Sequence, residues 1–351
     1  TALGFLMEYE HMSFPDAVAA LAQDVGLPLP ESGEPERPKP PPALWDALEQ
    51  AAQFYKQQLK QSPRAIEYLK GRGLTGTIAA RYGIGYAPDG SPLKQVFKDY
   101  QADALAACGL VIDGERGRYD RFRDRIMFPI RNVKGQIIGF GGRVLGAGEP
   151  KYLNSPETPL FHKGSEIYGL FEARAAIKDA GRAVVVEGYM EVVALAQHGV
   201  EFAVATLGTA TTPIHARTLL RHTDRLIYAF DGDNAGRKAA WRALENTLEA
   251  LQDGKEVGFL FLPEGEDPDS YIRQHGRDAF LKLLDNAMPL SAFLVRELSR
   301  DRKLDSQEGR AALLKDARPL LEKLAAPLLA SLIRRQLAEL AHLQADDLGQ
   351  L

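Results

Sequence analysis

The stretch Leu226-Ile-Tyr-Ala-Phe-Asp-Gly-Asp-Asn-Ala-Gly236 decides the fold. It opens with an apolar run, Leu226 to Phe230, which is too short for a capped helix but has the length of a buried strand. The run ends at two carboxylates, Asp231 and Asp233, that are one residue apart. Ligands bind at the carboxyl edge of open parallel sheets, and two oxygen ligands there suit a hard cation such as Mg²⁺. The stretch therefore predicts a strand that ends in a cation site.

Strands and helices alternate on both sides of this stretch. Each of the following four predicted strands precedes a helical pattern: Ala183–Val186, Phe202–Ala205, Leu226–Phe230 and Val257–Leu262. Four such units predict a parallel sheet with helices on both faces and right-handed connections. Beyond Asp285 no strand pattern occurs. Three segments with helical apolar spacing predict a C-terminal helical bundle instead: Met288–Arg302, Gln307–Leu324 and Pro327–Leu343.

The part of the chain before the alternating region has a different pattern. Helices are predicted at 43–60 and 63–72, and two short strands, Ile126–Ile130 and Gln136–Phe140, flank a hairpin turn at Asn132–Gly135. Gly139, Gly141 and Gly142 allow a close approach of the backbone to another group. An α+β module is the expected architecture here.

Charge is distributed unevenly along the chain. The formal net charge is −4, yet the segment from Arg116 to Lys163 has ten Lys and Arg residues against four acids. The remainder is therefore strongly acidic. A basic part beside an acidic part suggests that one binds a polyanion and the other a metal.

Several classes of protein are excluded. The single cysteine, Cys108, rules out internal disulfides and a cysteine-based zinc site within this chain, and a reducing compartment fits. No apolar run approaches the length of a membrane span and no signal-peptide pattern opens the chain. There is no phosphate-binding P-loop. Asp231 begins a motif that resembles a calcium loop, but Ala235 and Arg242 occupy positions that require ligands.

The first 42 residues predict a small appendage and a linker. Ser13 to Val25 has helical apolar spacing, and Pro28 to Pro42 contains seven prolines among charged residues, so a domain boundary is expected there. Because the chain starts at Thr1 rather than Met, we expect it to be a piece of a longer protein.

Acidic residues cluster at the predicted strand ends. Five of them share the expected sheet edge: Glu187, Asp231, Asp233, Asp267 and Asp269. Because five carboxylates would repel one another, one or two divalent metal ions are the economical explanation. Helix capping is the alternative for Asp233 and Asp267, at about even odds for any one acid, but it does not account for Glu187.

Two further features have open interpretations. The stretch Leu207–Thr212 opens a helix, so it is either an anion site or a simple capped turn. His215 and His222 lie seven residues apart on one predicted helix, which favours a surface or capping position over a metal site.

Long motifs give the chain a family resemblance. Val185-Val-Glu-Gly-Tyr-Met-Glu191, Phe230-Asp-Gly-Asp-Asn-Ala-Gly236 and Glu266-Asp-Pro-Asp269 resemble the Toprim domain of bacterial primases, topoisomerases and some nucleases. Upstream, the following motifs resemble the bacterial replicative primase of the DnaG type: Arg121-Phe-Arg-Asp-Arg-Ile-Met-Phe-Pro-Ile130, Gly139-Phe-Gly-Gly-Arg143, Lys151-Tyr-Leu-Asn-Ser-Pro-Glu-Thr158 and Phe161-His-Lys-Gly164.

The resemblance implies a domain organisation. Residues 1–30 would be the tail of an N-terminal zinc-binding domain without its metal ligands, and 31–42 the linker. Residues 43–165 would be the basic N-terminal α+β subdomain, 166–285 the Toprim catalytic subdomain and 286–351 the C-terminal helical bundle. Zn²⁺ would belong only to the N-terminal domain outside this chain, and the helicase-binding domain would also lie outside it.

The resemblance also assigns roles to residues. Glu187 would be the acid/base residue, Asp231 and Asp233 would hold catalytic Mg²⁺ or Mn²⁺ together with it, and Asp267 and Asp269 would complete the acidic site. The family usually has Asp where this chain has Glu191, so we expect Glu191 either behind the metal ligands or at the acidic rim of the site. Residues expected to bind template and nucleotide are Arg121, Arg123, Arg143, Lys151, Tyr152, Asn154 and Lys163. Tyr152 and Phe122 are candidates for stacking on a base, with core packing as the commoner role of Phe.

The function that the resemblance implies is a template-directed RNA polymerase that makes short primers on single-stranded DNA for replication. Its substrates would be the DNA template and ribonucleoside triphosphates, its product an RNA–DNA hybrid, and its partner the replicative helicase. It would act in the bacterial cytoplasm at the replication fork, away from membranes. The alternatives are another Toprim enzyme, a topoisomerase or nuclease, and a DNA-binding scaffold without catalysis.

Overall fold

The computed structural model describes residues 2–9, 12, 17–18, 20–22, 40–146, 148–208 and 210–343. The chain divides into two compact units, Thr1–Pro41 and Pro42–Leu351. The first unit contains helix α1 (Ala2–Tyr9), and residues 17–18 and 20–22 are also helical. Apart from these few residues, the predicted amphipathic segment and the proline-rich linker lie outside the described residues.

The second unit starts with three helices whose ends are set by local capping. Helix α2 (Pro42–Gln61) begins at a proline. The Ser62 hydroxyl accepts a hydrogen bond from the Ala65 N–H at 3.3 Å and starts α3 (Pro63–Gly71). Thr75 caps α4 (Gly76–Arg81) in the same way. The two helices predicted for this region are confirmed.

An antiparallel sheet follows, with the strand order β1-β4-β5-β6. Its central hairpin turns at Gly135, which has a φ of 82° as this turn requires, so the predicted hairpin is confirmed. A Cβ atom at Gly141 would overlap the ring of Tyr189, which explains the close approach expected there. The elements of this region are β1 (Gly85–Ala87), α5 (Leu93–Val96), α6 (Asp103–Ala107), β2 (Val111–Gly114), β3 (Gly117–Asp120), β4 (Arg125–Arg131), β5 (Ile137–Val144) and β6 (Tyr152–Asn154); β2 and β3 pair with each other.

The second sheet has the order β11-β10-β9-β7-β8. Its four longer strands are parallel, and their ends are level because Val186 lies opposite Ala205 and Phe230 opposite Phe261. All four predicted strands and the α/β class are confirmed. The elements are α7 (Leu170–Ala180), β7 (Arg182–Val186), α8 (Tyr189–Gln197), β8 (Ala203–Ala205), α9 (Pro213–His222), β9 (Arg225–Phe230), α10 (Asn234–Thr247), β10 (Glu256–Phe261) and α11 (Pro268–Asp285).

The region after Asp285 differs from the prediction in one respect. A two-residue strand, β11 (Met288–Pro289), pairs antiparallel with β10, although no strand was expected there. Two residues are too few to show an alternating pattern, so the pairing depends on the neighbouring strand. The three predicted helices are present as α12 (Leu290–Ser299), α13 (Gln307–Lys323) and α14 (Pro327–Leu340).

One continuous hydrophobic cluster fills the second unit. It runs from Leu44 in α2 to Leu337 in α14 and includes buried residues of both large sheets. The bounds 43–165, 166–285 and 286–351 therefore remain our proposal for subdomains inside one compact unit. Among the described residues, no helix combines the length and apolar character needed to cross a bilayer.

Candidate active site

Three neighbouring strands bring acidic residues to one edge of the parallel sheet. Glu187 directly follows β7, Asp231 directly follows β9, and Asp267 follows β10 at the start of α11. Because these strands are adjacent and parallel, their carboxyl ends lie at the same edge. The structure thus places Glu187, Asp231 and Asp267 at one sheet edge, as the sequence predicted.

Two of these aspartates also cap helices. Asp233 Oδ1 accepts a hydrogen bond from the Gly236 N–H at 2.7 Å, at the N-terminus of α10. Asp267 Oδ1 accepts one from the Ser270 N–H at 2.6 Å and forms a capping box with that serine. The capping alternative is therefore confirmed for both. Each cap uses one carboxylate oxygen, so the second oxygen stays available to a ligand.

The carboxylates raise one another's pKa. The pKa of Glu187 is raised by burial and then by the charges of Asp231 and Asp233. Burial also raises the pKa of Asp231, with Asp267 and Asp233 adding to the effect. These groups are close enough to repel, so a bound cation would relieve an unfavourable interaction.

Glu191 lies in the first turn of α8. Its Oε2 accepts a hydrogen bond from the Glu187 N–H at 3.2 Å. Burial, followed by the charge of Asp267, raises the pKa of Glu191 to about 8. The Glu191 carboxylate therefore contacts the backbone of the turn that carries Glu187.

Asp269 is paired with two arginines. Its side chain is 3% exposed, Arg273 Nε lies 2.8 Å from Oδ1 and Arg72 lies 3.5 Å from Oδ2. Sequence analysis missed the role of Arg72, which it predicted only as the last residue of the helix at 63–72. The contact joins residues 197 positions apart in the chain, and no local pattern signals such a pair.

The carboxylates at the acidic edge are chemically suitable ligands for a divalent metal ion. Carboxylate oxygens that repel one another are the donor set that Mg²⁺ and Mn²⁺ prefer. Among the described residues, no group of three His, Cys, Asp or Glu side chains is already arranged to hold an ion. The donors therefore fit such a metal by type and placement along the edge, and side-chain rotation would be needed to surround it.

The predicted basic residues lie on and around the antiparallel sheet. Arg121 is half-buried, and its Nε donates to the Asn154 carbonyl oxygen at 3.4 Å. Arg123 is exposed, with its guanidinium 5.1 Å from the Tyr119 ring centre. Within the described part of the chain, the ammonium groups of Lys151 and Lys163 have no ion-pair partner. Such cations are available to a polyanion.

Arg143 is held between two aromatic rings. Its guanidinium lies 5.4 Å from the ring centre of Tyr68 and 5.3 Å from that of Tyr152, and its Nη1 donates to the Tyr152 hydroxyl at 2.7 Å. Tyr152 is 37% exposed, whereas Phe122 is fully buried. Phe122 therefore packs in the core, and its stacking alternative is wrong because no ring surface is accessible.

Asn154 fastens the basic sheet to the acidic edge. Its Nδ2 donates to the Leu207 carbonyl oxygen at 2.9 Å, and its Oδ1 accepts from the Tyr189 hydroxyl at 2.8 Å. Tyr189 is the first residue of α8, two positions after Glu187. We call this set of contacts the Asn154 clamp. Both ends of the Asn154 amide are thus used within the protein, which makes it a positioning residue.

A cavity of about 250 Å³ opens beside Glu187. Its walls come from the ends of β7 and β9 and from the loop after β8, with Thr206, Tyr228 and Arg242 among the lining residues. The carboxylate edge therefore borders space that a small ligand can enter.

The stretch Leu207–Thr212, which leads into α9, ends in a capped helix start. Thr212 caps α9 and forms a capping box with His215. His215 is fully buried, and its Nε2 lies 3.1 Å from the Lys163 carbonyl oxygen. The capping position expected for His215 is confirmed, but its surface placement is wrong because the second ring nitrogen is needed inside the protein.

Gly232 permits the tight turn between Asp231 and Asp233. A Cβ atom at this position would overlap the Leu262 carbonyl oxygen, and the Pro263 and Glu264 backbones lie just beyond. The loop after β10 therefore packs directly on the turn that carries Asp231 and Asp233.

Comparison with known proteins gives matches along most of the chain. Three family models match in succession: the N-terminal domain of the DNA primase catalytic core at 54–174, a Toprim-like domain at 184–272, and the DnaB-helicase binding domain of primase at 291–344. The last match corrects the expectation that the helicase-binding domain lies wholly outside this chain. A segment with that description is present in it.

Individual relatives and solved structures are also named DNA primase. A DNA primase of Neisseria meningitidis is 54% identical over 331 residues, covering 92% of this chain and 56% of the relative. The chain spans about half the length of the curated relatives it matches. A crystal structure of a DNA primase domain from Pseudomonas aeruginosa is 51% identical with a TM-score of 0.84, over 88% of this chain and 99% of that one. A structure of the DnaG primase catalytic domain bound to single-stranded DNA is 45% identical with a TM-score of 0.82, over 88% and 98%.

Proposed function

The chain belongs to the family of bacterial DnaG-type DNA primases, and on this premise we propose that it is a template-directed RNA polymerase that makes short RNA primers on single-stranded DNA. The observation that carries the proposal is the Asn154 clamp. It fixes a basic sheet face next to an acidic sheet edge, and a nucleotidyl transferase needs both, one for phosphates and one for the reacting groups.

Asp231 and Asp233, together with Glu187, would hold a divalent metal ion, Mg²⁺ or Mn²⁺, with Asp267 nearby. When bound, the ion supplies neutralisation of the charge that develops on the α-phosphate and the leaving pyrophosphate. The mutual repulsion of these carboxylates supports this assignment.

Glu187 is the proposed general base. Burial and the neighbouring aspartates raise its pKa, so its carboxylate accepts a proton more readily than an exposed glutamate does. In the proposed reaction it removes the proton of the attacking 3′-hydroxyl. Asp269, held by Arg72 and by Arg273, orients the edge of the site from α11.

The cations on and around the antiparallel sheet would bind the template strand and the triphosphate. Lys151, Lys163 and Arg123 contact phosphates without reading sequence, and Arg143 positions Tyr152 for stacking on a base. The relative with bound single-stranded DNA supports this choice of template. We assign Arg121 and Asn154 to holding the template-binding surface in shape, because Arg121 donates to the backbone of Asn154.

The remaining partners follow from the family. The substrates are ribonucleoside triphosphates and the product is an RNA–DNA hybrid, while the replicative helicase would contact the segment 291–344. By this proposal the chain acts in the bacterial cytoplasm at the replication fork.

The test uses single-stranded template, labelled ribonucleotides and Mg²⁺ or Mn²⁺. Wild type is compared with Asp231→Asn and Asp233→Asn, and with Asp278→Asn, an exposed acid on α11, as the matched control. We expect metal-dependent oligoribonucleotides from wild type and the control only. Mn²⁺ binding, followed by electron paramagnetic resonance, should weaken in the two site variants. Equal product from all four proteins would remove the metal assignment, and metal-dependent cleavage of the template strand would favour a Toprim nuclease.

A further inference from the structure

A second cavity lies in the N-terminal helical region, away from the residues assigned to catalysis. It has a volume of about 520 Å³, within the range of ligand-binding clefts, and is formed by α2, α3, α4 and the residues just before β1. Its floor is apolar and comprises Leu59, Ile66, Leu69, Leu74 and Ile84. Four of these are buried, and Ile66 is half-buried at the edge. The floor can therefore accept a large apolar side chain.

The rim of this cavity is cationic. Lys56 and Lys60 lie one helical turn apart on α2, and Lys70 lies near the end of α3. None of the three ammonium groups has a hydrogen bond or an ion pair with the residues that the structure describes. The cavity lining contains no Asp or Glu, although the whole chain has a net charge of −4. We call the cavity and these lysines the lysine-rimmed groove.

Unpaired like charges around an apolar floor define the chemistry of the occupant. A ligand that fills the floor brings its own groups close to three cations, so negative groups on that ligand gain and positive groups are repelled. Nucleic acid would satisfy the lysines but would leave the aliphatic floor without an apolar partner. A peptide that alternates acidic and large apolar residues satisfies both.

We propose that the lysine-rimmed groove is a docking site for a partner protein, which inserts a short acidic segment carrying one or two large apolar side chains. None of the residues that form the groove belongs to the catalytic edge or to the template-binding set. The segment around the groove has two contacts with elements that carry site residues: Thr75 Oγ1 donates to the Gln197 side chain at 2.8 Å, at the C-terminal end of α8, and Arg72 lies 3.5 Å from Asp269. Ile66 and the three lysines take part in neither contact. This proposal does not depend on the proposed function.

A peptide-display selection tests the proposal without presupposing a sequence. Random peptides of about twelve residues are selected on the whole chain and counter-selected on the Lys56→Gln/Lys60→Gln/Lys70→Gln variant. We expect the enriched peptides to combine Asp or Glu with Phe, Trp, Leu or Ile. Enrichment of basic peptides, or no enrichment against the variant, would overturn the proposal.

Binding of an enriched, fluorescein-labelled peptide is then measured by anisotropy at two salt concentrations. We expect at least a tenfold weaker Kd for Lys60→Gln/Lys70→Gln and for Ile66→Asp, and no change for Lys282→Gln, an exposed lysine on α11. Thermal melting verifies that each variant is folded. Hydrogen exchange of the wild type gives an independent readout, since the peptide should protect α2, α3 and α4.

Three results would contradict the proposal. Protection elsewhere in the chain would place the peptide at another site. Equal binding of an acidic peptide without apolar residues would reduce the groove to a charged surface. A groove variant that separates a dimer in sedimentation would make a second copy of the chain the occupant. Primer synthesis on bare template should be unchanged in the groove variants, so failure of this proposal is distinguishable from failure of the proposed function.

Discussion

Single side chains at the acidic edge have two roles at once. Asp233 and Asp267 each accept a backbone hydrogen bond at a helix start while they contribute charge to the site. The cap uses one oxygen of each carboxylate and leaves the other open to a ligand. The structural role and the chemical role can be separated, because asparagine is as good a cap as aspartate but has no charge.

The first prediction uses this difference at Asp233. Asp233→Asn should change the free energy of unfolding by less than about 0.5 kcal/mol, whereas Asp233→Ala should lower it by about 1 kcal/mol because the Gly236 N–H loses its acceptor. Both variants should lose primer synthesis. Urea unfolding and a primer assay provide the two measurements. An Asn variant with normal synthesis would leave capping as the whole role of Asp233.

A pH dependence is expected from Glu166. Burial raises the pKa of this glutamate to about 7, with His162 acting weakly in the opposite direction. Its contribution to stability is fully present below the pKa of the unfolded chain, near 4.5, and is lost as the pH rises through about 7. Glu166→Gln removes the ionisation. The free energy of unfolding of the variant, relative to that of wild type, should therefore rise by roughly 1 to 3 kcal/mol between about pH 5 and pH 8. Denaturation curves across this range check it, and a constant difference would contradict it.

Residue-level prediction from sequence succeeds where the signal is local. The paired aspartates directly follow an apolar run, and they lie where that pattern predicts. Arg72 and Tyr189 could not be assigned in the same way, because their partners Asp269 and Asn154 are distant in the chain. The sequence placed Asn154 among the template- and nucleotide-binding residues, whereas both of its side-chain hydrogen bonds in the structure are made within the protein.

At the scale of elements, the Asn154 clamp connects two sheets. Strand β6 supplies Asn154, α8 supplies Tyr189, and the loop after β8 supplies the Leu207 carbonyl oxygen. The ring of Tyr189 also stacks on Phe128 of β4, with 5.4 Å between ring centres. These contacts join the basic face to the acidic edge in addition to the shared hydrophobic core.

The clamp gives the third prediction. Tyr189→Phe leaves the Asn154 oxygen without its donor and should cost about 1 to 2 kcal/mol of unfolding free energy. A double-mutant cycle with Asn154→Ala should give a coupling energy of about 1 kcal/mol. Primer synthesis should fall more than stability alone explains. Tyr86→Phe is the matched control, since it removes a similar bond to Asp124, 2.8 Å long, that is not part of the clamp. Equal activity loss in both variants would argue against a special role of the clamp.

Elements differ in how well the sequence predicts them. The long apolar strands β7, β9 and β10 are recognisable because burial on both faces produces continuous apolar runs. The strands β1, β6 and β11 have three, three and two residues. Such short strands exist because a longer neighbour pairs with them, and their own residues carry too little pattern to reveal it.

At the scale of the whole molecule, charge is separated between the two sheets. The antiparallel sheet and its flanking loops carry the arginines together with Lys151 and Lys163, whose ammonium groups have no ion-pair partner among the described residues. The parallel sheet edge carries the carboxylates. Composition and charge counts predicted this division along the chain. They did not predict that the two parts share one hydrophobic core, because that depends on contacts between distant segments.

The fourth prediction concerns salt. Lys151→Ala should weaken binding of single-stranded DNA and should reduce the slope of log K against log salt by about 0.7, the contribution of one phosphate contact. Lys282→Ala on α11 should leave both quantities unchanged. Fluorescence anisotropy at several salt concentrations measures them. If Lys151→Ala keeps the wild-type slope, this lysine lies outside the template path.

The close packing of Gly232 against the Leu262 carbonyl oxygen restricts which residues can replace it during evolution. Every codon change that replaces this glycine adds an atom where a main-chain oxygen of another loop already lies. No neighbouring side-chain change can make room, because the obstacle is backbone. Lineages that descend from this protein can therefore vary the residues around the turn, but position 232 should stay glycine in all that keep this turn.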